Sequence, residues 1–161
     1  MIVTNSEFRN VYAKWSKNVF GVAYCCLLNT EAANDVLQQS FVKLLESSIN
    51  FEDDEVLKLW LMETCLEVCD KYLSSIKSQK REIPRPDNFY DIKDAQQEKV
   101  LGAIFRLPVK YRVPLHLYYC EDYETWEIAK VTKTLPPVAA NNLKKGRDEL
   151  RKMLHGEEWI C

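Results

Sequence analysis

The sequence predicts an all-α protein made of two small helical domains joined by a linker, with a helix-turn-helix in the second. Three observations lead there. Among 161 residues only four are Gly and six are Pro, too few for the many tight turns of an all-β fold. Apolar residues recur at steps of three and four along most of the chain, the spacing of one helix face. No alternation of period two persists, so no half-buried strand is expected.

Each element follows from its own residues. Phe8, Tyr12, Trp15, Val19, Val22 and Cys26 mark an amphipathic helix over 6–28. Asn29-Thr30 punctuates, and Thr30 is suited to cap a second helix, with Glu31 in its first turn. That helix runs to about Glu46, with Ala33, Val36, Leu37, Phe41 and Leu44 facing inward. Asp53 or Asp54 can cap a third, whose period from Val56 through Leu57, Trp60, Leu61, Cys65 and Val68 to Tyr72 is strong. Ile83-Pro84-Arg85-Pro86 cannot continue a helix. Residues 1–80 therefore read as one domain, 81–96 as a linker and 97–161 as the second domain. In the back half, helices are expected near 94–106, from Val109 to about Cys120, near 124–131, and from Pro136-Pro137 to about Leu154. Pro114 sits inside the second of these, where it can kink the helix or shift its start. Prolines are tolerated in a first helical turn, so Pro136-Pro137 can open the last one.

Composition narrows the function classes. Apolar residues make up 47% of the chain, enough for a packed core. Neither G-x-G-x-x-G nor G-x-x-x-x-G-K-[ST] occurs, which argues against a Gly-rich phosphate-binding enzyme. The sequence carries no membrane-length apolar run and no signal-peptide pattern, so a soluble, cytosolic protein with no membrane insertion is expected. The net charge of −2 hides an asymmetry: residues 1–96 hold 11 basic and 15 acidic side chains, and residues 97–161 hold 11 basic and 9 acidic. Six Cys occur, but nothing points to secretion and disulfides. Cys65 and Cys69 share a helix face among apolar neighbours and read as small core thiols. His116 and Cys120 also share a face, yet no second pair has metal-like spacing, so no metal or other cofactor is expected. With two His in the chain, a Ser-His or Cys-His catalytic pair has little support, and no enzyme is expected.

Two surfaces stand out. The last helix bears Lys144, Lys145, Arg147, Arg151 and Lys152 against Asp148 and Glu149, five basic residues less two acidic, or +3. Such a stripe can follow a phosphate backbone, with helix N-terminal amides adding contacts. It can equally be a solvated helix laced by i,i+4 pairs. On the second helix, Asp35, Gln38, Gln39 and Lys43 lie opposite the buried residues. They form either a solvated face or a hydrogen-bonding protein interface, and spacing alone does not choose.

These residues fall in an order that resembles the small, two-domain extracytoplasmic-function (ECF) sigma factors of the bacterial sigma-70 family. Glu31 to Phe41 (EAANDVLQQSF) is similar to that family's D-A-E-D-x-x-Q-E-x-F helix. Phe51 followed nine residues on by Trp60-Leu61 matches its F-x(8)-W-L. Leu107 to Arg112 (LPVKYR) resembles L-P-x-x-Y-R, and Glu127-Ile128-Ala129 resembles its E-I-A. Leu143 to Arg147 (LKKGR) resembles L-x-R-[AG]-R. The likeness covers nearly the whole chain up to Leu154.

The resemblance implies a sigma factor with core RNA polymerase and promoter DNA as partners, and an anti-sigma factor as a regulator. It places Asp35, Gln38, Gln39, Phe41 and Lys43 in the polymerase-docking helix, with Phe41 structural. It places Phe51, Glu52, Asp53, Asp54 and Glu55 in the loop that pockets a flipped −10 base. Glu67, Lys71, Lys77, Lys80 and Arg81 then lie on or after the helix facing −10 DNA. The −35 groove falls to the helix bearing Val138, Ala140, Asn141, Asn142, Lys144, Lys145, Arg147 and Arg151. Phe51 can stack on a base or anchor the loop; the two Asn can read adenine or stay solvated. The chain departs from the family in its four carboxylates at 52–55 and in Glu67, where Asn is common. It departs again in Val138-Ala139-Ala140, in Pro136-Pro137, and in Lys133, where a turn Gly is usual. Those departures motivate a second expectation, a sigma-like regulator without strong promoter reading, and a third, a stand-alone helix-turn-helix regulator.

Overall fold

A computed structural model describes residues 2–82, Asp87 and residues 95–154. The described residues form seven α-helices and no strand, so the all-α expectation holds. The chain divides into two compact units, Met1–Asp87 and Asn88–Cys161. The first holds α1 (Asn5–Leu27), α2 (Thr30–Glu46) and α3 (Asp54–Ser78). The second holds α4 (Ala95–Phe105), α5 (Val109–Cys120), α6 (Thr125–Thr132) and α7 (Pro136–Met153). Most of the expected linker 81–96, including Ile83–Pro86, lies outside the described residues.

In the first unit the three helices pack against one another pairwise. The core face of α1 is wider than its sequence period suggests. Val11, Val19, Val22, Ala23 and Cys25 are buried, whereas Tyr12 is exposed and Cys26 half-buried. The reason is that α1 contacts α2 on one side and α3 on the other. Phe8 and Tyr12 instead form an aromatic cluster with Phe41, with ring centroids 5.9 and 4.8 Å from it. Leu57, Leu61, Met62 and Cys65 of α3 are fully buried.

Helix starts are set by side chains. The cap of α2 is Asn29, not Thr30: its side chain accepts from Ala32 N–H at 2.9 Å. Thr30 is the first helical residue and is itself held by a residue distant in sequence. Its N–H and Oγ1 donate to the Asp87 carboxylate at 2.8 and 3.0 Å. Asp87 also donates its N–H to Leu28 O and accepts from the Tyr24 hydroxyl. Asp53 caps α3, accepting from Val56 N–H at 2.9 Å.

The second unit is built around α7. Leu143, Gly146 and Leu150 face inward, and Leu150 joins Ala103 of α4 and Leu154 in one cluster. Gly146 is needed for its size. A Cβ there would lie 3.0 Å from Leu115 Cδ1 and 3.3 Å from Tyr111 Cβ. The L-P-x-x-Y-R stretch is the corner between α4 and α5. Pro108 caps α5, and its carbonyl accepts from the N–H groups of Tyr111 and Arg112 at 2.9 Å each. Arg112 is buried and donates to Leu107 O at 2.9 Å, satisfying a carbonyl at the end of α4. Pro114 is buried inside α5, which starts at Val109 as expected and continues past it.

The turn between α6 and α7 needs a left-handed residue, and Lys133 supplies it with φ 55. Thr134 N–H bonds back to Ala129 O at 2.9 Å, and Lys133 N–H to Lys130 O at 3.3 Å, closing α6 with a Schellman motif. At the other end of α6, Glu127 accepts from Glu124 N–H at 2.9 Å, while Ile128 and Ala129 are buried. The E-I-A stretch is thus a capping residue followed by two core residues.

Two outcomes are expected. Lys133→Gly should stabilise the chain by about 0.5–1 kcal/mol in urea unfolding, the left-handed strain relieved less the extra chain entropy lost. His116 Nε2 is buried without a hydrogen-bond partner, and burial lowers the imidazole pKa more than the Glu121 charge raises it. The neutral form is favoured on folding. Its contribution is therefore present above the unfolded pKa of about 6.5 and is lost as pH falls below it. Urea midpoints measured from pH 7.5 to 5 should fall more for the native chain than for His116→Leu.

Candidate functional site

Helix α2 turns a polar face outward and packs the buried Phe41 on its inner side. Asp35, Gln38, Gln39 and Glu46 are exposed, and with Val42 and Lys43 they line one open depression. Phe41 is 2% exposed and lies beneath that face against Tyr12 and Phe8. Its placement is structural: it packs α2 against α1 and leaves the polar side chains of α2 on the outer face. Val42, which the sequence pattern did not single out, is 49% exposed in the middle of this face. Its signal was available in the helical period, since Val42 falls four residues after Gln38 and three after Gln39, on their face of the helix.

A second open groove runs between α2 and α3, lined by Lys43, Trp60, Glu63, Thr64 and Glu67. Lys43 borders both depressions. Phe51 stands under this region, 1% exposed, with its ring edge-on to Trp60 at 5.5 Å. It anchors the loop and presents no face for a base to stack on.

The carboxylates at 52–55 are exposed, and two have structural partners. Asp53 caps α3, and Asp54 accepts from Lys14 Nζ at 2.6 Å. Lys14 also lies 5.0 Å from the Trp15 ring centre, and Lys58 lies 5.1 Å from the same ring. Negative charge at a helix N-terminus is favourable, which accounts for an acidic run at the start of a 25-residue helix. Past the middle of α3, Lys71, Lys77, Lys80 and Arg81 are all exposed. Lys80 adopts φ 54, and Arg81 N–H closes the helix on Ile76 O at 2.9 Å.

In the second unit, α7 divides into an uncharged start and a basic remainder. Val138, Ala140 and Asn141 are exposed and Asn142 is half-buried. Two expectations about this helix change. Its N-terminal amides are not available to phosphate: Pro136 and Pro137 have no N–H, and those of Val138 and Ala139 are taken by Leu135 O at 2.9 and 3.0 Å. Nor is the +3 charge all free. Arg147 Nε donates to the Tyr119 hydroxyl at 2.9 Å, and its guanidinium lies 4.7 Å from the Tyr118 ring centre. Lys152 pairs with Glu149 at 3.3 Å. Lys144, Lys145 and Arg151 remain exposed along the helix. Trp126 on α6 and Leu135 in the turn are also exposed, at 56% and 71%.

Among the described residues no group of three or more His, Cys, Asp or Glu side chains is arranged to hold a metal ion. No helix among them is long and apolar enough to cross a membrane.

No protein-family profile matches the chain, and no curated protein matches it by sequence. Solved structures do match. The sigma factor RpoE, in complex with the anti-sigma factor NepR from Bartonella quintana, superimposes with a TM-score of 0.70 at 14% identity. That match covers 94% of this chain and 99% of RpoE. CnrH, in complex with the cytosolic domain of CnrY, gives a TM-score of 0.68 at 17% identity, covering 96% and 92% of the two chains. At these identities the likeness is one of architecture: the chain has the all-helical fold seen in the sigma factor RpoE.

Proposed function

We propose that this chain is an ECF-type sigma factor, which joins core RNA polymerase and directs it to promoter DNA. The observation that carries the reading is the match of 94% of the chain to a sigma factor's fold, with the expected docking residues Asp35, Gln38 and Gln39 exposed on one face of α2. In this reading the polymerase contact is polar with an apolar centre. The amides of Gln38 and Gln39 and the charges of Asp35 and Lys43 surround Val42. Phe41 acts only by holding the helix.

DNA contact is assigned to two places. The α2/α3 groove with Glu67, together with Lys71, Lys77, Lys80 and Arg81, is proposed to face the −10 segment. Its cations neutralise phosphate. A flipped base would need a partner other than Phe51, and Trp60, half-buried in the groove, is the aromatic residue in position. On α7, Lys144, Lys145 and Arg151 are proposed to track the −35 backbone, while Val138 and Ala140 meet base edges by apolar contact and Asn141 by its amide. Arg147 serves as a strut to α5. An anti-sigma factor is the proposed regulator; RpoE was solved with one bound.

The structure also favours keeping the reading in which promoter recognition is weak. With Arg147 engaged and no N-terminal amides on offer, α7 has fewer phosphate contacts than its composition suggests.

The test is reconstitution. Core polymerase should retain the chain on a pull-down and initiate at promoters selected from random DNA only when the chain is present. Asp35→Ala with Gln38→Ala should reduce retention without altering the unfolding midpoint, whereas Phe41→Ala should cost about 3–5 kcal/mol of stability. Lys144→Ala and Lys145→Ala should each reduce the salt slope of DNA binding by about one. Retention without initiation at any sequence would select the weak-reading alternative, and no retention would reject the sigma assignment.

A further inference from the structure

The start of α7 is an exposed apolar tip. Leu135, the N-cap residue, is 71% exposed, and Val138 is 44% exposed. Pro136, Pro137 and Ala140 are exposed as well, while Ala139 turns into the core. These five exposed residues carry no charge, and their side chains hold no hydrogen-bond donor or acceptor. The backbone of the first helical turn offers no donor either. Pro136 and Pro137 lack an N–H, and those of Val138 and Ala139 bond to Leu135 O at 2.9 and 3.0 Å. Polar chemistry begins only further along. Val138, Asn141 and Lys145, spaced by three and four residues, share one row of the helix, with Leu135 at its head. No cation occurs on α7 before Lys144.

We propose that Leu135 and Val138 read the 5-methyl groups of thymine, so that this chain recognises its −35 element through T·A pairs. The inference rests on the sigma-factor reading, in which α7 enters the major groove. A helix-turn-helix meets base edges with the N-terminal residues of its second helix. What such residues can read depends on what they carry. Guanine presents the acceptors O6 and N7, which need a donor such as Arg or Lys. Cytosine presents its N4 amine, which needs an acceptor. The thymine methyl group needs an apolar contact. The exposed residues from 135 to 140 supply only the last.

The rest of the row agrees with this. The Asn141 amide can pair with N6 and N7 of adenine, the partner base of thymine, one turn in from the tip. The exposed Lys144, Lys145 and Arg151 follow, where cations neutralise phosphate. A protein-docking face would need a broader apolar area. Here the row passes from Val138 to an amide and then to an ammonium within two turns, and the exposed cations beyond it complement a polyanion.

The test uses the full chain assembled with core polymerase, and promoter duplexes recovered by selection from random DNA. Replacing a −35 thymine by deoxyuridine removes one methyl group and leaves every hydrogen-bonding edge in place. Affinity should fall about fourfold at each position under the tip, whereas the same replacement in the spacer should change nothing. Leu135→Ala and Val138→Ala alter exposed side chains, so the unfolding midpoint and polymerase retention should stay as they are. Each variant should bind the thymine duplex more weakly and lose its sensitivity to deoxyuridine at one position. Equal binding of both duplexes by the native chain, full sensitivity retained in both variants, or a selected element without thymine would overturn the assignment and leave the sigma reading intact. Loss of polymerase retention in the variants would also overturn it, making the tip a protein contact. Failure to select any duplex would overturn both readings together.

Discussion

A chain with four glycines and seven helices among its described residues has to turn its corners with side chains and strained backbone. The described residues show how. Four L-residues take positive φ: Leu28, Lys80, Asp122 and Lys133. Three of them close helices α1, α3 and α6, and each costs strain that glycine would avoid. The compensating bonds are specific. Asn29 and Asp53 cap the helices that follow, Asp87 takes both donors of Thr30, and Arg112 takes a carbonyl of the α4–α5 corner. The directions of α2 and α7, and so both candidate surfaces, depend on these corners being held.

The acidic run at 52–55 takes on a different meaning in that light. As charge it opposes DNA. As structure it supplies a cap, a dipole partner and an ion pair to the start of α3. The same division applies to α7. Its composition suggests a continuous basic stripe, but Tyr118 and Tyr119 hold Arg147 against the fold, and Gly146 lets α5 approach closely enough for that contact. Charges that look available for a ligand are partly spent on the protein. What remains most open is the outer face of α2, polar around Val42 and rigid because Phe41, Tyr12 and Phe8 pack beneath it.

Helix positions were legible because their signals are local. The periods of α2, α3 and α7, and the Pro and Asp residues at their starts, place each within a residue or two of its span. The outward position of Asp35, Gln38 and Gln39 follows from the same period. What the sequence concealed was long-range. Nothing near Thr30 announces that Asp87, 57 residues on, will hold it. Nothing near Arg147 reveals Tyr119, 28 residues earlier. Phe51 was ambiguous for a similar reason: only its contact with Trp60 makes it an anchor. The missing amides at the start of α7 could have been read from Pro136-Pro137 alone, since proline carries no N–H.

The central claim is that the outer face of α2 is where this chain meets core RNA polymerase. Hydrogen–deuterium exchange of the full chain, with and without core enzyme, tests it most directly. The account predicts slower exchange across Asp35–Glu46 on binding, with the already buried middle of α3 around Leu61 and Cys65 unchanged. Binding that protects α7 while leaving α2 unaffected, or that protects neither, would contradict it.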